Sequence, residues 1–146
     1  MTQVIPHLTC RNAAEAYEFY QRAFGVQPMG LMNGPYGLVM HASLGFEGAP
    51  VYLHDEFPDH GIVGPQAIGG TPVTIHLQVD DCDAVYNKAV EAGCAATMPL
   101  ADMFWGDRFG MVTDPYGHQW SVATTQRTLS REETRKAMEA EMGSAS

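Results

Sequence analysis

The pattern of apolar and polar positions runs through this chain twice, with a constant offset of 69 residues. His7 corresponds to His76 and Tyr17 to Tyr86, and the halves align without a gap. A constant offset held along most of both halves indicates an internal duplication. We therefore predict two copies of one structural unit.

Each unit begins with a run typical of a β-strand, at residues 4–10 and 73–79, followed by an amphipathic helix. The first helix is predicted to begin after Asn12 and to end at Gly25, and the second to begin after Asp81 and to end at Gly93. Three short strands then follow in each unit, at residues 27–32, 37–46 and 51–55, and at 95–100, 108–113 and 119–124.

The predicted boundaries are a first βαβββ module at 1–56, a linker or lid loop at 57–71, a second module at 72–126, and a C-terminal helix and tail at 127–146. The linker is rich in Gly and Pro. Ser130 and Glu133 form a capping box for the last helix, and its tip at 143–146 is expected to fray.

Composition narrows the possible functions. The chain has 146 residues, is 45% hydrophobic and only 17% charged, and its net charge is −9. Eight basic residues in an acidic chain do not favour nucleic acids or anionic membranes, whereas a cationic small ligand is favoured. The low charge predicts a homodimer. Three cysteines without C-x-x-C spacing predict buried free thiols and a cytoplasmic protein.

Four local motifs resemble one known family: AYEFYQRAFG at 16–25, VDDCDA at 79–84, FWGDRFG at 104–110 and DPYGHQW at 114–120. Together they resemble the vicinal oxygen chelate (glyoxalase, bleomycin-resistance and dioxygenase) superfamily, and the third motif resembles its PhnB-like branch. The resemblance implies an α+β fold in which tandem βαβββ repeats form curved mixed β-sheet half-barrels.

The resemblance also implies four positions for metal ligands, on the first and last strand of each module. These positions hold Ile5, Tyr52, Thr74 and Ser121. None is a customary ligand of a divalent transition metal, which prefers imidazole or carboxylate. The catalytic Glu of the family's metal-dependent glyoxalases is also missing. We therefore expect no cofactor.

Three histidines, His7, His54 and His76, lie two residues beyond such a position and so share its face of the strand. They are interpreted as hydrogen-bonding groups in a cavity wall. Two alternatives remain. One is a shifted divalent-metal site of all three histidines, in which Ala123 at the fourth position leaves an open coordination site. The other is a general base at His54 or His76.

The predicted function is metal-independent binding or sequestering of a small molecule. The alternative is a lyase, isomerase or dioxygenase that uses the shifted histidines. Predicted ligand-binding residues are Tyr52, His54, His76, Gln78, Trp105, Arg108 and Ser121.

Several polar residues leave their roles open. Arg108 would bind an anionic group or, alternatively, pair with a nearby carboxylate. The polar residues at 54–56 and 59–60 are interpreted as a solvated loop. His41 and His118 have no partner that the sequence identifies.

Overall fold

The computed structural model describes residues 1–144. In chain order, the elements are β1 (His7–Cys10), α1 (Ala13–Phe24), β2 (Gln27–Asn33), β3 (Val39–Phe46), β4 (Ala49–Asp55), α2 (Pro65–Ile68), β5 (Thr74–Gln78), α3 (Cys82–Ala92), β6 (Ala95–Asp102), β7 (Asp107–Thr113), β8 (Gln119–Thr125) and α4 (Arg131–Ser144).

The strands form two open four-stranded mixed sheets, in the orders β1-β4-β3-β2 and β5-β8-β7-β6. The register repeats the sequence offset: His7 lies opposite Tyr52 in the parallel β1–β4 pair, and His76 lies opposite Ser121 in the β5–β8 pair. The α+β fold of tandem βαβββ units is therefore confirmed.

Local sequence signals set the helix ends. The Asn12 side chain accepts a hydrogen bond from the Glu15 amide, and Gly25 ends α1 with φ 64°. The Asp81 carboxylate caps α3 by accepting from the Ala84 amide. Glycine suits the C-terminal position because L side chains are strained at positive φ.

The two modules share one hydrophobic core between the sheets and the helices. Trp120 of β8 is fully buried, and its ring centroid lies 5.5 Å from that of Tyr20 and 4.6 Å from that of Phe24, both on α1. Cys10, Cys82 and Cys94 are buried free thiols, as predicted.

The buried Asp114 carboxylate connects the modules. It accepts hydrogen bonds from the Tyr20 hydroxyl at 2.5 Å and the Trp120 indole at 2.8 Å. The amides of Tyr116 and His118 donate to its second oxygen. Since a buried carboxylate needs donors to replace water, this set of bonds explains how Asp114 is tolerated in the core.

Several predicted strand boundaries were wrong. β1, predicted at 4–10, begins only at His7, so Ile5 lies outside it. The segment 57–71 contains the single turn α2. The capping box was right, since the Glu133 amide donates to Ser130 Oγ and the Ser130 amide to the Glu133 carboxylate. The predicted frayed tip is helical to Ser144, and residues 145–146 lie outside the described part. No helix within residues 1–144 is long and apolar enough to cross a membrane.

Candidate functional site

Four aromatic side chains cluster on the first sheet, on the face opposite the helices. Leu8 and Leu53 point into the core, so strand alternation places His7, Tyr52 and His54 on the other face. The His7 ring centroid lies 4.5 Å from that of His54 and 5.8 Å from that of Tyr52. His41 completes the cluster, 4.6 Å from Tyr52 and 6.1 Å from His7.

The hydrogen bonds of His54 define its neutral tautomer. Nδ1 lies 2.7 Å from the Asp55 carbonyl oxygen, which only accepts, so Nδ1 carries the proton. Nε2 is then the acceptor, and its partner is the Thr9 hydroxyl at 3.4 Å. Because that bond is long, Nε2 can accept a better-placed donor from a ligand.

The environment of His7 disfavours its charged form. Burial lowers the pKa of His7 below its usual value, and the neighbouring His54 and His41 imidazoles lower it further. His7 is therefore a neutral imidazole at neutral pH.

A cavity of about 670 Å³ opens beside these histidines. Residues of the β2–β3 turn and of the predicted linker contribute to its lining. The wall is mostly apolar, with a few polar groups: His7, Pro35, Tyr36, Leu38, Met40, His54, Glu56, Phe57, Pro58, Asp59, His60 and Ile62. We call this space the first-module cavity.

The Asp55 carboxylate anchors the β2–β3 turn, which lines part of the cavity. Its carboxylate is 7% exposed and accepts from the Ala13 amide at 2.7 Å and the Val39 amide at 2.7 Å. It therefore joins the start of α1 to the end of the β2–β3 turn. The interpretation of residues 54–56 as a solvated loop was wrong for Asp55.

The Glu56 carboxylate anchors the linker, which lines another part of the cavity. Its carboxylate accepts from the Gly64 amide at 2.9 Å and from Arg11 Nε at 2.9 Å. These two donors lower the pKa of Glu56, the Gly64 amide most. Gly64 lies so near β1 that a Cβ there would be 2.8 Å from the Thr9 carbonyl oxygen.

The second module carries a different polar arrangement. Gln78 donates from Nε2 to Thr125 Oγ1 at 2.8 Å, so its carbonyl oxygen faces His76 Nε2 at 2.7 Å. His76 Nε2 therefore carries the proton, and Nδ1 accepts from Ser121 Oγ at 2.7 Å. His76 thus has both ring nitrogens bonded within its own module.

Arg108 and Trp105 lie apart from this chain of hydrogen bonds. Arg108 binds Asp83 on α3 at 2.7 Å and Asp102 at 3.2 Å, so it faces the helix side of the sheet and pairs with carboxylates of the same chain. Trp105 is 36% exposed and its ring lies 5.7 Å from that of Phe109.

These placements test the donor set for a metal. Within residues 1–144, no group of three or more His, Cys, Asp or Glu side chains is placed to hold a metal ion. His7 and His54 are neighbours, but His76 binds Ser121 and Gln78 on the other sheet. The side chains of Tyr52 and Ser121 add only neutral oxygens. The residues present do not fit the family's metal.

The structure assigns partners that the sequence did not reveal. His118 Nε2 donates to the Thr9 carbonyl oxygen at 2.9 Å and so links the modules. His41 packs against Tyr52 in the aromatic cluster. Glu56 and the linker side chains were missed as cavity residues, since their partners lie far along the chain or are backbone groups.

Comparison with known proteins finds both similar sequences and similar structures. Mb0911c of Mycobacterium bovis, an uncharacterized protein, is 42% identical over 136 residues, covering 91% of this chain and 90% of that protein. PA1353 of Pseudomonas aeruginosa has a similar structure, with a TM-score of 0.71 and 27% identity over 87% of this chain and 100% of that one.

Two further structures share the fold. The PhnB protein of Bacillus cereus has a TM-score of 0.67 and 20% identity, covering 84% of this chain and 99% of that one. TnmS3 of Streptomyces sp. CB03234, an antibiotic binding protein, has a TM-score of 0.63 and 20% identity, covering 86% and 96%. The family profile that matches residues 3–122 is the Glyoxalase/Bleomycin resistance protein/Dioxygenase superfamily, and the chain belongs to that superfamily.

Proposed function

We propose that this protein binds and holds a small, largely apolar molecule in the first-module cavity, without a metal. The observation that carries the proposal is the cavity itself, about 670 Å³ with a mainly apolar wall. Small-molecule sites typically combine such a wall with a few placed polar groups. His54 Nε2 is such a group, because it offers a lone pair beside the cavity.

The family context supports binding. TnmS3, which shares the fold, is an antibiotic binding protein. Metal independence is supported by the donor set, since the four positions that the family uses hold Ile5, Tyr52, Thr74 and Ser121. Metal analysis after exposure to zinc, nickel, manganese and iron, then desalting, tests this, and a stoichiometric metal would overturn it.

A neutral solvatochromic dye, Nile red, tests binding at the cavity. We expect saturable binding with a blue-shifted emission. Ile62 lines the cavity, so Ile62→Trp should fill it and weaken binding about tenfold. The matched control is Ile68→Trp, in the same linker but outside this cavity. Equal effects of the two variants would contradict the proposed site.

We also propose that the chain forms a homodimer that covers its open sheet faces. All seven residues of β2 are exposed, among them Met29 at 65% and Met32 at 59%. Apolar side chains on an open sheet commonly mark an interface. Light scattering that gives the 15.9 kDa monomer at working concentration would reject this proposal.

An enzymatic role remains the second candidate, and the observation in its favour is again the unprotonated Nε2 of His54. A base there would abstract a proton from a bound carbon or oxygen acid. This candidate predicts that His54→Ala binds Nile red normally and remains folded, yet loses all turnover of any substrate found. Retained turnover in that variant would exclude His54 as the base.

A further inference from the structure

We propose that the ligand of the first-module cavity is a hydrophobic organic cation. This inference rests on the proposed function and adds the charge class of the ligand. Net charge alone does not justify it, because charge spread over a surface is screened within about 8 Å at physiological salt. The groups that face the cavity justify it.

The charged groups around the cavity have one sign. Glu56 and Asp59 line it, and within residues 1–144 no Lys or Arg does. Arg11 already pairs with Glu56 from outside the lining. The Asp59 carboxylate has no hydrogen bond or ion pair among the described residues, so its charge is available to a ligand.

Aromatic groups add to this preference. Tyr36 and Phe57 both line the cavity, one from the β2–β3 turn and one from the linker. The face of an aromatic ring attracts a cation, most strongly where water is displaced. Tyr36 is 99% exposed and has φ 63°, a left-handed conformation that L side chains rarely adopt. The exposed Tyr36 ring thus lines the cavity despite this backbone strain.

Two histidines of the lining favour a cation. Burial lowers the pKa of His7, which disfavours a positive charge on that ring. His54 Nδ1 donates to the Asp55 carbonyl oxygen, which leaves Nε2 as an acceptor. The cavity therefore offers a cation the unpaired Asp59 carboxylate, two aromatic rings and an imidazole acceptor, whereas the Glu56 carboxylate already pairs with Arg11.

Two ions of matched shape and opposite charge test the inference: tetraphenylphosphonium and tetraphenylborate. At pH 8 and 0.15 M salt, isothermal titration of the wild type should show tetraphenylphosphonium binding at least about tenfold more tightly. Asp59→Asn should weaken the cation about threefold to fivefold and strengthen the anion. Asp80→Asn, which removes the same charge from an exposed site in the second module, should change neither.

A variant that removes one aromatic ring tests the cation–π contribution to binding. Phe57→Leu keeps an apolar side chain, so we expect about a threefold loss for the cation and a smaller loss for the anion. If Asp59→Asn and Asp80→Asn weaken the cation equally, the preference comes from overall charge and the inference is wrong.

The remaining outcomes distinguish this inference from the proposed function. Equal binding of both ions, or binding of neither while Nile red still binds, would overturn the cation preference and leave the cavity function standing. Failure of both ions and of Nile red would overturn both proposals.

Discussion

The two modules come from one repeated pattern, yet their open faces differ. In the first module, His7 and Tyr52 lie side by side, and His54 adds a second imidazole. In the second, His76 and Ser121 occupy the matching positions, but Ala123 replaces His54. The repeat conserves the backbone positions, while the chemistry of each face depends on single substitutions.

The larger difference lies in where the chain goes after each last strand. After β4, the linker crosses the first face, where Glu56 holds Gly64. After β8, the amides of Gln126 and Arg127 donate to the Gly106 carbonyl oxygen, so the chain turns toward the β6–β7 turn. A Cβ at Gly106 would lie 2.3 Å from the Arg127 carbonyl oxygen, so this path requires glycine. The direction in which the chain continues after its last strand therefore determines which sheet face has a loop packed beside it.

The largest expected effect tests whether the modules unfold together. Asp114→Asn removes charge from a carboxylate bonded to Tyr20 of the first module and Trp120 of the second. We expect a loss of about 3–5 kcal/mol in unfolding free energy, because buried donors lose a charged acceptor. Urea denaturation followed by Trp fluorescence and by circular dichroism measures it. Non-coincident transitions would show that the modules are not one cooperative unit.

A smaller effect is expected within the first module alone. Asp55→Asn keeps only one strong acceptor for two buried amides, those of Ala13 and Val39. The expected loss is about 2–3 kcal/mol. Hydrogen exchange should increase at Val39 and hardly at β7. A uniform increase across both modules would contradict a local role.

Ligand affinity should depend on side chains of the first module's sheet face and not on those of the second. Phe57→Ala should weaken Nile red binding about tenfold, since it removes an aromatic wall of the cavity. Phe109→Ala removes a ring of the same size beside His76 on the second face and should have no effect on affinity. Comparable losses in the two variants would mean that the dye binds elsewhere or at both faces.

The smallest effect is a pH dependence confined to the first face. The pKa of His7 is lowered in the folded state, so the unfolded chain takes up this proton first as pH falls. Stability should therefore decline slightly between about pH 7 and pH 5, and His7→Gln should flatten that decline. Thermal denaturation across this range measures it, and an identical profile for the variant would exclude His7 as the source.

Local features could be predicted from the sequence, and distant contacts could not. The caps at Asn12 and Asp81 join residues three apart, so the pattern reveals them. The partners of Asp114 include Tyr20, 94 residues away, and no periodicity identifies such a pair. His76 was placed on the right face by strand alternation, but that rule does not say whether two sheets converge. The alternative three-histidine metal site depended on that convergence.

In the first-module cavity, the residues that hold the backbone in place differ from those that are free to contact a ligand. Asp55 and Glu56 fix the two walls through backbone amides, whereas the side chains of Tyr36, Asp59 and Ile62 make no hydrogen bond within residues 1–144. Mutations at these three positions therefore change what the cavity accepts while leaving its supports in place. Selection can diversify ligand preference among relatives at little risk to folding, much as antibodies vary their loops on a constant framework.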